Sequence, residues 1–93
     1  MRRTKKQILI NTCYKVLCSY ENYQNGKEGF EDYQACLKRA IIALSSQQAT
    51  ETVLDSLILL NGLMNMGSKV THDDVKQVIF HASNEIDRRL EVS

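Results

Sequence analysis

The chain has 93 residues, of which 43% are hydrophobic and 25% charged, and its formal net charge at pH 7 is +1. This length and composition are typical of one folded domain with a small core, and they exclude a disordered tail. The nearly balanced charge leaves no overall field that would draw the protein to nucleic acid. The sequence contains no proline, which favours long uninterrupted helices.

A first helix is predicted from about residue 5 to residue 25, behind a basic arm of residues 1–4. Thr4 and Gln7 have the spacing of a capping box, and Gly26 suits the left-handed conformation that often follows a helix. The apolar residues of this segment recur at helical spacing. The predicted buried stripe contains Ile10, Cys13, Tyr14, Leu17 and Tyr20, with Leu9 and Val16 on its flank.

The second helix is predicted over about residues 30–44, with an apolar stripe close to a heptad repeat. That stripe contains Phe30, Tyr33, Leu37, Ala40, Ile41 and Leu44. Ser45 and Gln48 have capping-box spacing, so we expect a break there and a new helix beyond it. A continuous helix from Phe30 to about Asn61 stays open as an alternative, because no residue of this stretch forbids it.

The third helix is predicted over about residues 46–62 and is the most apolar segment of the chain. Leu57 to Leu60 are apolar on every side of a helix, which predicts that neighbours cover the helix all round. We therefore expect it to be the most buried element, flanked by the first and fourth helices, with the second closing the bundle. Asn61 and Gly62 also suit a hairpin turn, but we expect them to end or loosen the helix instead.

The fourth helix is predicted over about residues 72–91 and has the clearest start signal. Thr71 and Asp74 have capping-box spacing, and Val70 and Val75 fit the hydrophobic staple. Its predicted buried stripe contains Val75, Val78, Ile79, Ala82, Ile86 and Leu90. Four such stripes joined by short connections predict an all-α fold, a single-domain antiparallel four-helix bundle over residues 1–93.

The sequence offers little catalytic or metal-binding chemistry. His72 and His81 are nine residues apart, which places them on opposite sides of a helix, and no Cys-x-x-Cys spacing exists. The three cysteines, Cys13, Cys18 and Cys36, match no disulfide framework, so we expect reduced thiols in a cytoplasmic protein. No phosphate loop or nucleophile motif is present, and no apolar run is long enough to span a membrane. We expect no enzyme, no cofactor and no metal.

These exclusions leave binding to another protein as the leading hypothesis, as in an inhibitor, an immunity factor or an adaptor. Aromatic residues and methionines supply much of the contact area in interfaces. The candidate partner-binding residues are Tyr20, Tyr23, Leu63, Met64 and Met66. A homodimer is one form of this hypothesis, because the first and third helices carry more apolar residues than one stripe requires.

The alternative hypothesis is a regulator that contacts nucleic acid through its basic N-terminus. The residues that would contact phosphates are Arg2, Arg3, Lys5 and Lys6. The stretch from Ala40 to Leu57 also suggests a helix-turn-helix, with its turn at Ser45 and Ser46. The second helix of that motif offers Glu51 and is largely hydrophobic, whereas a helix that reads DNA needs a polar or basic face.

Overall fold

The computed structural model describes residues 5–47 and 51–89, except for the side chains of Lys5, Thr52 and Arg89. This part of the chain contains four α-helices and is 89% helical, and no strand occurs in it. The helices are α1 (Lys5–Gln24), α2 (Phe30–Ser45), α3 (Glu51–Met66) and α4 (His72–Arg89), with a short 3₁₀ helix at Gly67–Lys69. The predicted all-α fold is confirmed.

The helices form a closed ring in which α1 and α3 each pack against both α2 and α4. Two polar side-chain contacts, one at each end of α1, fix its direction relative to α4. The Lys6 Nζ atom lies 3.0 Å from Asp87 Oδ1, and His72 Nε2 lies 3.2 Å from Glu21 Oε2. The start of α1 therefore lies beside the end of α4, as the predicted antiparallel bundle requires. The expectation that α1 flanks α3 was wrong, because α1 lies across the bundle from it.

The core contains one inward stripe from each helix. Its best-buried large side chains are Leu9, Val16, Tyr20, Tyr33, Leu37, Leu44, Val53, Leu60, Leu63, Val75, Ile79 and Ile86. The predicted stripes of α2 and α4 agree with it where the residues are described, while Leu90 lies outside the described part. On α1 the buried side is rotated about the helix axis relative to the predicted stripe. Leu9 and Val16 are buried, whereas Tyr14 is 36% exposed, because the inward side of α1 is the one that faces both α2 and α4.

The prediction that α3 is covered all round was also wrong. Leu60 is fully buried, but Leu57 and Leu59 are only partly buried, and Leu54 and Ile58 are 47% and 67% exposed. Among the four described α-helices, α2 and α4 are the main neighbours of α3, and the side of α3 that faces away from both is exposed to solvent. The most apolar helix is therefore not the most buried one.

The helix boundaries follow local signals with two exceptions. Gly26 has a φ of 77° after α1, and Gly67 has a φ of 59° after α3, as expected for residues that follow a helix. The α3 helix continues through Gly62 to Met66, so the expected end at this glycine was wrong and the hairpin is excluded. Ser45 is the last residue of α2, and its hydroxyl donates to the Ile42 carbonyl at 2.9 Å. It does not cap α3.

The break between α2 and α3 and the start of α4 agree with prediction. The Thr71 Oγ1 atom accepts a hydrogen bond from the Asp74 amide at 3.1 Å, and Asp74 Oδ2 accepts one from the Thr71 amide at 3.1 Å. Val70 and Val75 are both buried beside this capping box, as a hydrophobic staple requires. The corresponding signal at Thr4 lies outside the described residues.

Truncating Leu60 should destabilise the bundle far more than truncating Leu57. We expect Leu60→Ala to lower the free energy of unfolding by about 2–5 kcal/mol, the range for a fully buried leucine. The loss for Leu57→Ala should be smaller, because solvent already reaches part of this side chain. Ile42→Ala is the control, since Ile42 is 65% exposed and a surface change costs at most about 0.5 kcal/mol. Urea unfolding measures all three, and equal losses for the two leucines would contradict this account.

Candidate protein-binding surface

An aromatic cluster fills the end of the bundle at which the α1–α2 and α3–α4 turns lie. The Tyr20 ring meets Tyr33 at a centroid distance of 5.1 Å, Tyr23 at 5.9 Å and His72 at 6.1 Å, and Phe30 lies 5.5 Å from Tyr23. Such pairs add about 0.5–1.5 kcal/mol beyond the area they bury. The cluster therefore joins three helices.

Tyr20 lies at the centre of this cluster and is 1% exposed. Its hydroxyl donates to the Val70 carbonyl at 3.1 Å and accepts from Gln24 Nε2 at 2.8 Å. The prediction that Tyr20 contacts a partner was wrong, because its ring and its hydroxyl are both used inside the chain. Tyr20 is buried because the α3–α4 turn packs beside it and supplies the Val70 carbonyl, although that turn is far from Tyr20 in the sequence.

Tyr33 is as buried as Tyr20, but its hydroxyl has no hydrogen-bond partner in the described part of the chain. Burial raises the pKa of Tyr33 to about 12. Burial likewise raises the pKa of the Cys13 thiol to about 11, so this cysteine stays protonated and weakly nucleophilic at neutral pH. Neither group is suited to catalysis.

The other predicted partner-binding residues differ in how much of each side chain is exposed to solvent. Leu63 is 1% exposed and belongs to the core, because it lies on the inward side of α3 with Leu60, so its predicted role was also wrong. Tyr23 and Met64 are half-buried against the core. Met66 is 41% exposed and is available for contact.

The basic residues of the alternative hypothesis lie mostly outside the described part of the chain. Arg2 and Arg3 fall there, as does the side chain of Lys5. Lys6 is described, and its ammonium group pairs with Asp87 at 3.0 Å. Of the four, Lys6 therefore contributes mainly to the contact between α1 and α4.

The outward side of α3 carries a row of four exposed residues, which we call the α3 ridge. Leu54, Ile58, Gly62 and Met66 follow one another at four-residue spacing, so they form one continuous row along the helix surface. Leu54 is 47% exposed, Ile58 67% and Met66 41%, and Gly62 is exposed as well. The ridge has no charged member. The four-residue spacing of these residues can be read from the sequence, but the same spacing is typical of a buried stripe, so the sequence did not predict that the ridge is exposed.

Three other surface features are less suited to apolar contact. Tyr14 and Phe80 pack on each other between α1 and α4 at a centroid distance of 6.2 Å, and the Lys76 ammonium lies 5.8 Å from the Phe80 ring. A groove of about 320 Å³ between α1 and α2 is bordered by Lys15 and Arg39. A shallow polar depression of about 440 Å³ lies beside Cys18. Each of them is partly covered or polar.

The described residues present no site for a metal and no membrane-spanning helix. Across residues 5–47 and 51–89, no three His, Cys, Asp or Glu side chains come together as metal ligands. Cys13, Cys18 and Cys36 are all unpaired thiols. No helix in the same part of the chain combines the length and the apolar character needed to cross a bilayer.

Comparison of the chain with protein-family models, with curated proteins and with solved structures gave no match. The functional inference therefore rests on the residues and their geometry.

The hydroxyl of Tyr33 should be dispensable, in contrast to that of Tyr20. We expect Tyr33→Phe to raise the free energy of unfolding by about 1 kcal/mol at pH 7, because it removes a buried hydroxyl that makes no hydrogen bond. Tyr20→Phe should lower it by about 1–2 kcal/mol, since two hydrogen bonds are lost. Urea unfolding of both variants tests this pair, and a destabilised Tyr33→Phe protein would contradict it.

The raised pKa of Tyr33 predicts that the free energy of unfolding depends on pH in the alkaline range. Folding raises the pKa of Tyr33 from its ordinary value of 10.0 to about 12, so the folded state holds this proton more tightly than the unfolded state. The resulting stability is complete below pH 10 and is lost as pH rises toward 12. Tyr33→Phe should therefore lose less stability than the wild type over this window.

Proposed function

We propose that this chain is a non-enzymatic protein-binding module, of the inhibitor, immunity-factor or adaptor type, that contacts its partner through the α3 ridge. The observation that carries the proposal is the exposure of Ile58, 67%, together with that of Leu54, 47%, one helical turn away on the same side. Single exposed apolar residues are common on protein surfaces. An uncharged row along the most apolar helix is the kind of surface that marks an interaction site.

Burial of the α3 ridge would contribute part of the free energy of binding, and the rest of the interface would supply the remainder. Complete burial of a leucine or isoleucine side chain contributes about 1.5–3 kcal/mol. Leu54 and Ile58 are about half exposed or more, and Met66 adds a flexible side chain that adapts to the shape of a partner. These side chains would act as the anchors of an interface whose rim is polar, with Asp55, Asn61 and Asn65 alongside them.

We place the protein in the cytoplasm, where thiols stay reduced. The unpaired state of Cys13, Cys18 and Cys36 supports this location. The partner is another protein chain, and the candidates include a second copy of this one. The rigid bundle presents the α3 ridge without rearrangement, because Leu60 and Leu63 anchor the opposite side of the same helix in the core.

A matched pair of isoleucine variants tests the proposal. Ile58→Glu puts a charge on the α3 ridge, and Ile42→Glu puts one on the outward side of α2, at a residue that is 65% exposed. We expect the Ile58 variant to lose partner binding by at least about tenfold, whereas the Ile42 variant keeps it. The measurement is capture from extract of the native host with mass spectrometry, followed by titration of the purified partner.

Two results would count against the proposal. One is equal partner binding by the Ile58 and Ile42 variants when circular dichroism shows that both are folded. The other is binding that is lost only through Ile42→Glu. Either result would place the contact surface away from α3.

A further inference from the structure

We propose that the occupant of the α3 ridge is the α3 ridge of a second copy of this chain, packed across a two-fold axis that passes between Ile58 and Gly62. This inference rests on the proposed function, because it uses the same surface and names the partner. A two-fold interface must be self-complementary, so that residue i meets residue j and residue j meets residue i. The sequence of the ridge meets this condition.

The ridge is complementary to itself when its direction is reversed. Around a midpoint between Ile58 and Gly62, the reversed ridge places Ile58 of one copy opposite Gly62 of the other, and Leu54 opposite Met66. The most exposed side chain of the ridge thus meets the position that has no side chain. At the outer positions a leucine meets a methionine, which is flexible enough to fill the remaining space. Rows at four-residue spacing form the ridges that enter the grooves of the facing helix in the commonest class of helix packing.

Gly62 has no explanation inside its own chain. It lies within α3, and its φ is not positive, unlike those of Gly26 and Gly67. A Cβ atom built on it would meet nothing within 4 Å, so no contact in the described chain requires a glycine there. Glycine is the least favourable residue inside a helix apart from proline. A close approach by a second helix supplies the missing reason, because only a residue without a side chain leaves room for Ile58.

The charges around the ridge also suit an antiparallel pair of copies. Glu51 and Asp55 lie near the start of α3, and Lys69 follows its end. Reversal brings Glu51 and Asp55 of each copy toward Lys69 of the other copy. The two helix dipoles also run in opposite directions. The groove between α1 and α2 lacks this property, because Lys15 and Arg39 would meet the same cations in a second copy.

Sedimentation equilibrium of the full chain over a range of micromolar concentrations tests this pairing. We expect the wild-type chain to reach twice its 10.6 kDa monomer mass. Ile58→Glu should raise the dissociation constant by at least about tenfold. Ile42→Glu should leave it unchanged, since Ile42 lies on α2. A wild-type chain that stays monomeric throughout overturns the inference.

Exchanging the two central residues tests the register. Ile58→Gly removes the side chain that projects, and Gly62→Ile fills the space that receives it, so each change alone should weaken association by at least about tenfold. The double variant Ile58→Gly with Gly62→Ile again places an isoleucine opposite a glycine, and its association should recover. Circular dichroism establishes that each variant is folded. Two weak single variants without recovery in the double variant overturn the pairing.

The same variants separate this inference from the proposed function. A monomeric wild-type chain that still binds a different protein through Ile58 overturns the homodimer and leaves the binding module intact. A dimer that Ile58→Glu does not affect overturns this pairing, whereas loss of binding to a different protein in the same variant would still support the proposed function.

Discussion

Each helix of this bundle is covered along one side by two neighbours, and this limit determines both the core and the exposed surface. Ring closure brings α2 and α4 against α1 and α3, so each helix has only one inward side to bury. For α2 and α4 the apolar stripe matches that side. The α3 helix has more apolar residues than its inward side can hold. Leu60 and Leu63 therefore complete the core, whereas Leu54 and Ile58 remain exposed. The surplus of apolar residues on one helix thus becomes a surface feature.

The number and type of elements could be predicted from the sequence because they depend on local signals. The Thr71–Asp74 capping box, Gly26 after α1 and the stripe of α2 each act over a few residues. They specify where helices begin, end and present apolar residues. Gly62 is the exception among these signals, since a favoured turn residue was overridden by the packing of a long apolar helix.

The rotation of each helix about its own axis, and which helices pack against each other, could not be predicted. Both depend on contacts between residues that are far apart in the sequence. The burial of Tyr20 follows from the Val70 carbonyl, which lies 50 residues further along the chain. The exposure of Tyr14 follows from where α4 lies. Of the predicted partner-binding residues, Met66 is exposed and Leu63 is buried, and only the direction of α3 relative to α2 and α4 distinguishes them. Composition therefore identified α3 as the most apolar helix, but not which of its residues face solvent.

The pairing of α1 with α4 has a consequence for synthesis of the chain. The Lys6–Asp87 ion pair and the Glu21–His72 hydrogen bond join α1 to α4. A ribosome adds about 5–20 residues per second, so α1 is synthesised several seconds before α4, one of its two packing partners. During that interval the apolar side of α1 has only α2 to cover it.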